Sequence, residues 1–232
     1  MSEVNLIGIT KPSAYTDCTS ANELVAWAAR VSNPSNQNNT QTAGKLVKYL
    51  INNNHWSPLE IVHVSMEIKT TRDIARQILR HRSFSFQEYS QRYADPTKDL
   101  GFVTRDARLQ DPKNRQNSVE TEDSNLQEEW NMRQRKSMAE ALISYRWAIE
   151  NGIAKEQARA VLPEGNTEST IIMAGSLRSF WHYILVRHHP ATQKEHRIIA
   201  EQISDIIMHH FPDMRELLEE QIANNYQDGT NH

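Results

Sequence analysis

The sequence predicts an α+β fold, a single domain in which a small, mostly antiparallel sheet is covered by helices, and three observations point to it. Segments with apolar residues at i, i+3 and i+4 spacing recur along the chain and outnumber those with strict two-residue alternation. The clearest alternation, over residues 61–69, sets Val62, Val64, Met66 and Ile68 against His63, Ser65, Glu67 and Lys69, a strand buried on one face. No internal repeat, low-complexity tract or linker divides the 232 residues, and that length buries a substantial core. The domain is placed at residues 1–223, with 94–125 as a long loop region and 224–232 as a polar tail.

In chain order, residues 4–9 form a short β-type run before a Lys-Pro-Ser turn. A helix starts near Ser20, where Ser20 and Glu23 have capping-box spacing, and ends before Ser32-Asn33-Pro34. Residues 44–51 give a second helix, and 55–60 a turn into the 61–69 strand. Residues 71–80 read as a helix with Ile74, Ala75, Ile78 and Leu79 on one face and Arg72, Arg76, Gln77 and Arg80 on the other. A short strand is expected near Phe102 with a long loop after it, functional or disordered. Residues 126–150 predict a long helix ended by Asn151-Gly152, with its tryptophans read as core. A short helix over 153–162 stops at Pro163, a strand covers 168–174, and 176–187 is a helix with Leu177, Phe180, Trp181, Ile184 and Leu185 as its core stripe. Thr192 and Glu195 are expected to cap a helix through His209, and 212–222 adds a last one.

Composition narrows the function classes. A net charge of −3 gives no global basic field, so arginines matter only where they cluster. The single cysteine, Cys18, cannot form an internal disulfide, residues 1–10 do not resemble a signal peptide, and no apolar run approaches the ~18 residues of a spanning helix. The cytoplasm is the expected compartment. Adjacent histidine pairs point apart on a helix and no His-x-x-x-His with an acid partner occurs, so no metal is assigned. There is also no Gly-x-Ser-x-Gly elbow, Gly-x-Gly-x-x-Gly or P-loop.

The densest chemistry lies in residues 80–92. Arg80, His81, Arg82, Glu88, Ser90 and Arg92 share one short segment, interleaved with Phe84, Phe86, Tyr89 and Tyr93. In an extended chain Glu88, Ser90 and Arg92 share a face, a row of acceptor, hydroxyl and cation spanning roughly 13 Å, about the length of a nucleoside monophosphate. The interleaved aromatics imply a buried side, which makes the row the wall of a cleft rather than a free surface.

Arg80-His81-Arg82, seven residues and then Ser90, together with Gln77, Glu88 and Arg92, resembles the signature of the flavin-dependent thymidylate synthases. His55-Trp56-Ser57 followed by Glu60 resembles the family's second signature, with Ile61 where a histidine is common. Ser176 to His182 with Arg187 resembles a third conserved region, with Ser176 where an asparagine is common. Ser32 after Ala-Ala-Arg-Val and Arg159 in Ala-Arg-Ala-Val-Leu-Pro match further positions. On the 176–187 helix Arg178 and His182 lie one turn apart, while Arg187 points roughly 140° away from His182.

The resemblance implies the thymidylate synthase-complementing fold and the conversion of dUMP to dTMP. Methylenetetrahydrofolate would give the carbon, FAD the hydride, NADPH would re-reduce FAD, and tetrahydrofolate would leave. It implies dUMP binding by Gln77, Arg80, Glu88, Ser90, Arg92, Arg159 and Arg187. FAD would be held by Ser32, Ser57, Arg80, His81, Arg82, Glu88, Ser176, Arg178 and His182. Catalytic roles fall to Arg187, polarising the uracil, and to His55, near flavin and folate. A homotetramer with active sites built from several subunits is also implied. The competing reading is an Arg-rich single-stranded nucleic-acid-binding module, and a second is a flavoprotein of the same fold without methylation.

Overall fold

The computed structural model describes residues 2–228. In order, its elements are β1 (Glu3–Ile9), α1 (Ala21–Ala29), α2 (Ala43–Asn52), β2 (His63–Thr71), α3 (Arg72–Ile78), β3 (Ser85–Glu88), α4 (Pro96–Asp99), β4 (Arg108–Gln110), β5 (Ser118–Glu120), α5 (Ser124–Glu150), α6 (Lys155–Ala158), β6 (Glu168–Ser176), α7 (Leu177–Arg187), α8 (Lys194–His210) and α9 (Arg215–Asp228). A four-stranded sheet runs in the order β1-β2-β6-β3. Thr10 N donates to His63 O, Leu177 N to Val62 O and Tyr89 N to Thr170 O. Each bond joins the end of one strand to the start of its neighbour, so the pairing is antiparallel. The fold is the expected α+β arrangement of a small antiparallel sheet and helices.

The described chain groups into two compact units, the first from residues 2–3, 68–80 and 87–171, the second from 4–67, 81–86 and 172–228. In the first, α5 buries Gln134, Ala141, Tyr145 and Ala148, one stripe at helical spacing. Gln134 ties that stripe to residue 105, accepting from Arg105 N at 2.9 Å and donating to Arg105 O at 2.8 Å. Tyr145, Ala148, Ala158 and Leu162 form a core cluster. In the second unit α7 contributes Leu177, Phe180, Trp181, Tyr183 and Ile184 to the core, and α8 contributes Ile199, Ala200, Ile203 and Ile207.

Local chemistry sets several boundaries as the sequence predicts. Ser20 caps α1 by accepting from Glu23 N, and the Glu23 carboxylate returns to Thr19 N and Oγ1. Gly152, at φ 77°, ends α5 in a Schellman turn: Gly152 N donates to Ile149 O and Ile153 N to Ala148 O.

Five expectations are corrected. The loop over 94–125 holds α4, a lone bridge from Phe102 to Thr167, and the hairpin of β4 with β5, paired from Arg108 opposite Glu120. Trp130 and Trp147 are not core: they are 42% and 60% exposed, because the buried stripe of α5 uses other positions. Thr192 does not cap α8, since its amide closes a turn on His189 O and Gln193 takes the cap position without a side-chain bond. The extended row Glu88, Ser90, Arg92 is broken, because β3 stops at Glu88 and the Tyr93 and Ala94 amides turn back onto Ser90 O. Residues 224–228 of the expected tail are helical within α9, and the rest of the tail lies outside the described residues. Among the described residues no helix is long and apolar enough to cross a membrane.

Candidate active site

In the first unit the arginines of α3 and the segment after β3 divide into those bound up in the fold and those gathered at one place. Arg72 was expected beside Gln77 and Arg80 on the polar face of its helix. Its side chain is instead 8% exposed, 3.5 Å from Glu88 and 3.8 Å from Glu164. A buried guanidinium needs such carboxylates to offset its desolvation. Ser169 Oγ also donates to Glu88 at 3.3 Å, so Glu88 is held as an acceptor by two groups. Gln77 is half-buried and Arg80 is exposed.

Arg92 and Arg159, far apart in sequence, meet at Glu156. Arg92 Nε lies 3.3 Å from the Glu156 carboxylate, and Arg159 Nε donates to the Glu156 carbonyl at 3.3 Å. Next to them Lys155 Nζ donates to Tyr93 O at 2.9 Å. Arg92 thus pairs with the Glu156 carboxylate while Arg159 and Lys155 donate to backbone carbonyls of the same two segments, an arrangement that a phosphate dianion can enter by displacing Glu156 from Arg92. Ser90 lies in the same turn, its Oγ accepting weakly from Arg92 N at 3.4 Å. Arg72, Arg76 and Arg92 each face a carboxylate, which interrupts the row of arginine charge along this stretch, while Arg80 and Arg82 are exposed.

The second unit contains a cavity of about 640 Å³ lined by Asn54, Trp56, Glu60, Ser83, Arg178 and His182, with Ser179, Trp181 and Leu185 completing its wall. Asn54 is the C′ residue of α2: at φ 57° it closes a Schellman turn in which Asn54 N bonds Ile51 O and His55 N bonds Leu50 O. That turn aims Trp56 and the short 3-10 turn Ser57–Glu60 at the cavity. Arg178 donates to Glu60 at 2.7 Å. Burial pushes the Glu60 carboxyl up, but hydrogen bonds from Arg178 and Ser176 and the Arg178 charge outweigh it, and its pKa falls below the ordinary 4.5.

The other sequence-predicted residues of this unit occupy varied places. Ser176 is buried as the cap of α7, accepting from Ser179 N at 3.2 Å, so its hydroxyl starts the helix rather than lining the cavity. His55 and Ser57 are exposed and outside the cavity lining; His55 stands edge-on to Tyr49 with ring centroids 6.2 Å apart. Ser32 is exposed in the 3-10 turn after α1, and Arg82 is exposed. Arg187 Nε donates to His81 Nε2 at 2.8 Å, which fixes that nitrogen as a bare acceptor and leaves the guanidinium charge beside a neutral lone pair. Glu60, Asn54, Trp56, Ser83, Glu156 and Lys155 were not among the predicted ligands. Glu60 alone had a signal, the spacing of its motif.

The cavity suits a flavin dinucleotide in its donor set. Trp56, Trp181 and Leu185 offer apolar surface for a planar ring, and Arg178 offers a cation and His182 a ring N–H for phosphates. A sequence model of the family described as "Thymidylate synthase complementing protein" matches residues 14–213. The chain is 45% identical over 214 residues to a probable flavin-dependent thymidylate synthase of Paramecium bursaria Chlorella virus 1, covering 92% of this chain and 97% of that one. It is 45% identical over 219 residues to the flavin-dependent thymidylate synthase of Synechocystis sp., covering 94% and 99%. Among solved structures it resembles a UMP/dUMP methylase, PolB of Streptomyces cacaoi, bound with 5-Br dUMP, at a TM-score of 0.78 and 25% identity over 93% of each chain. The chain belongs to the family of flavin-dependent thymidylate synthases.

Proposed function

We propose that this protein is a flavin-dependent thymidylate synthase that methylates C5 of dUMP to give dTMP, taking the methylene of methylenetetrahydrofolate and releasing tetrahydrofolate. The 45% identity to two such synthases over nearly their whole lengths carries the reading. When bound, FAD supplies the hydride that turns the transferred methylene into a methyl group, and NADPH restores its reduced form.

Within the first unit, Arg92 and Arg159 take the dUMP phosphate, and their convergence on Glu156 supports that role. Gln77, Arg80, Glu88 and Ser90 complete nucleotide binding; Arg72 and Ser169 hold the Glu88 side chain in place beside the nucleotide. Within the second unit, Arg178 and His182 hold the flavin, with Ser32, Ser57, His81 and Arg82 as further contacts and His55 toward the folate. Arg187 stands against the uracil and stabilises its N3-deprotonated form, which makes C5 electron-rich without a covalent enzyme nucleophile. Its only described hydrogen bond is to a neutral imidazole, which leaves its charge unopposed for that task. The protein acts as one catalytic domain and as a homotetramer whose active sites draw on several subunits. The exposed Trp130, Ile143 and Trp147 of α5 support burial by another copy.

The test is purified protein reconstituted with FAD, NADPH, methylenetetrahydrofolate and dUMP, with dTMP measured by single turnover. dTMP formation that disappears in Arg187→Ala and is not restored by saturating dUMP is the expected result. The lost step amounts to about 2.7–4 kcal/mol if Arg187 acts as a preorganised charge in the transition state. No dTMP from a flavin-loaded parent protein removes the reading.

A further inference from the structure

Behind Arg187 the second unit buries two titratable side chains that the reaction above does not use. Tyr183 and Arg187 lie one turn apart on α7, so they share a face. His81 lies across both: its ring meets Tyr183 edge-on, centroids 4.9 Å apart at 68°, while its Nε2 accepts from Arg187. Tyr183 is fully buried and its hydroxyl shares a 2.9 Å hydrogen bond with Nε2 of His196, also fully buried, on α8. The imidazole of His196 stands perpendicular to that of His81, centroids 6.4 Å apart. Phe84 closes the cluster against His81, Tyr183 and Phe180.

We infer that Tyr183 and His196 are positioning residues for the methylation step, a neutral buried support that fixes the His81 ring and, through it, the guanidinium of Arg187. The inference rests on the placement of Arg187 against the uracil. Tyr183 alone could rotate about its side-chain bonds, and the bond to His196 anchors it to a second helix. With Tyr183 anchored, the His81 edge has a fixed floor and Nε2 a fixed direction, so Arg187 is held at Nε with its terminal nitrogens aimed by geometry rather than by a carboxylate. Electrostatics favour the same division of labour. Burial, with the nearby charge of Arg187, holds the His196 pKa down to about 3, and burial raises that of Tyr183 despite an opposing effect of Arg187. Both groups stay uncharged at neutral pH. A carboxylate in the place of His81 would anchor Arg187 equally well and quench the charge that a uracil anion needs.

The experiment uses flavin-loaded protein and reads the dUMP dissociation constant and single-turnover dTMP formation at saturating dUMP. Tyr183→Phe keeps the ring and removes the hydroxyl; His196→Gln keeps a bonding partner and His196→Leu removes it. Tyr183→Phe and His196→Leu are expected to slow turnover about tenfold, the size of one coupled buried contact, with dUMP affinity unchanged and His196→Gln retaining most of the rate. In an Arg187→Lys background the same changes should cost nothing more. Equal losses in both backgrounds, or a parent rate in Tyr183→Phe, overturn the inference. If Tyr183→Phe yields no folded protein, the comparison of His196→Leu with His196→Gln in the two backgrounds decides alone. Arg187→Lys at the parent rate would instead sink the assignment of Arg187 itself.

Discussion

Gly175, in β6, offers the sharpest test of the packing beneath the His81 cluster. A methyl group there would lie 2.5 Å from Cδ1 and 2.9 Å from Cε1 of Phe84. Ordinary carbon contacts are about 3.5–4.0 Å, so in Gly175→Ala the Phe84 ring must retreat by about 1 Å. It cannot do so freely on its inner side, where it packs edge-on against Phe180 at 4.9 Å and Tyr183 at 6.0 Å. Overpacking of this kind costs about 1–3 kcal/mol, or about 2–12 °C in Tm for a chain of this size. The displaced ring also presses on His81, so turnover per folded, flavin-loaded molecule should fall as well. The assay is thermal unfolding beside single-turnover dTMP formation for Gly175→Ala and for Gly175→Ala with Phe84→Leu, which makes room for the methyl. Gly175→Ala with unchanged Tm, or a double variant no better than the single, refutes the steric reasoning.

Three further outcomes are expected. Glu156→Gln frees Arg92 from its exposed ion pair, worth about 0.2–1 kcal/mol, and should tighten dUMP binding by up to about fivefold in a calorimetric titration; weaker binding would show that Glu156 itself contacts the nucleotide. Burial raises the Asp73 pKa, but hydrogen bonds from Arg105 and Thr71 and the Arg105 charge outweigh it and hold the value below the ordinary 3.8. Its stabilisation is therefore present above that ordinary value and is lost as pH falls through the depressed one. The Tm gap between the parent and Asp73→Asn should be open at neutral pH and close in acid, whereas a pH-independent gap would refute the ion pair as its source. Trp147→Glu places a charge on the exposed face of α5 and should reduce the mass of the assembly seen by light scattering, while an unchanged mass would place the subunit contacts elsewhere.

Much of the fold could be read from periodicity because burial is one-sided along most elements. β2 alternates and is buried at alternate positions, and α7 keeps its apolar stripe. The hairpin of β4 and β5 could not be read in this way: its strands are three residues each and mostly exposed, so no buried face imposes alternation on them. The tryptophans of α5 misled for the opposite reason. A large apolar side chain is evidence of burial only against some surface, and the described residues leave Trp130 and Trp147 exposed.

The candidate site divides along a different line, between which residues matter and which of them are free to act. Charge and aromatic spacing mark the segment from Arg80 to Arg92, yet they do not separate an arginine committed to the fold from one open to a ligand. Arg72 and Arg92 look alike in sequence. The first is buried against Glu88 and Glu164, while the second lies exposed against Glu156, where an incoming phosphate can displace the carboxylate. The distinction depends on acids supplied from elsewhere along the chain, and local pattern carries no record of them. Arg187 makes the point most strongly. Its bond to His81 joins a residue assigned to the uracil to one assigned to the flavin, and its partner is neutral. Neither a carboxylate-paired arginine nor a solvated one would keep an unscreened charge at a fixed position, so the neutral partner is what suits Arg187 to hold an anion that forms only as the reaction proceeds.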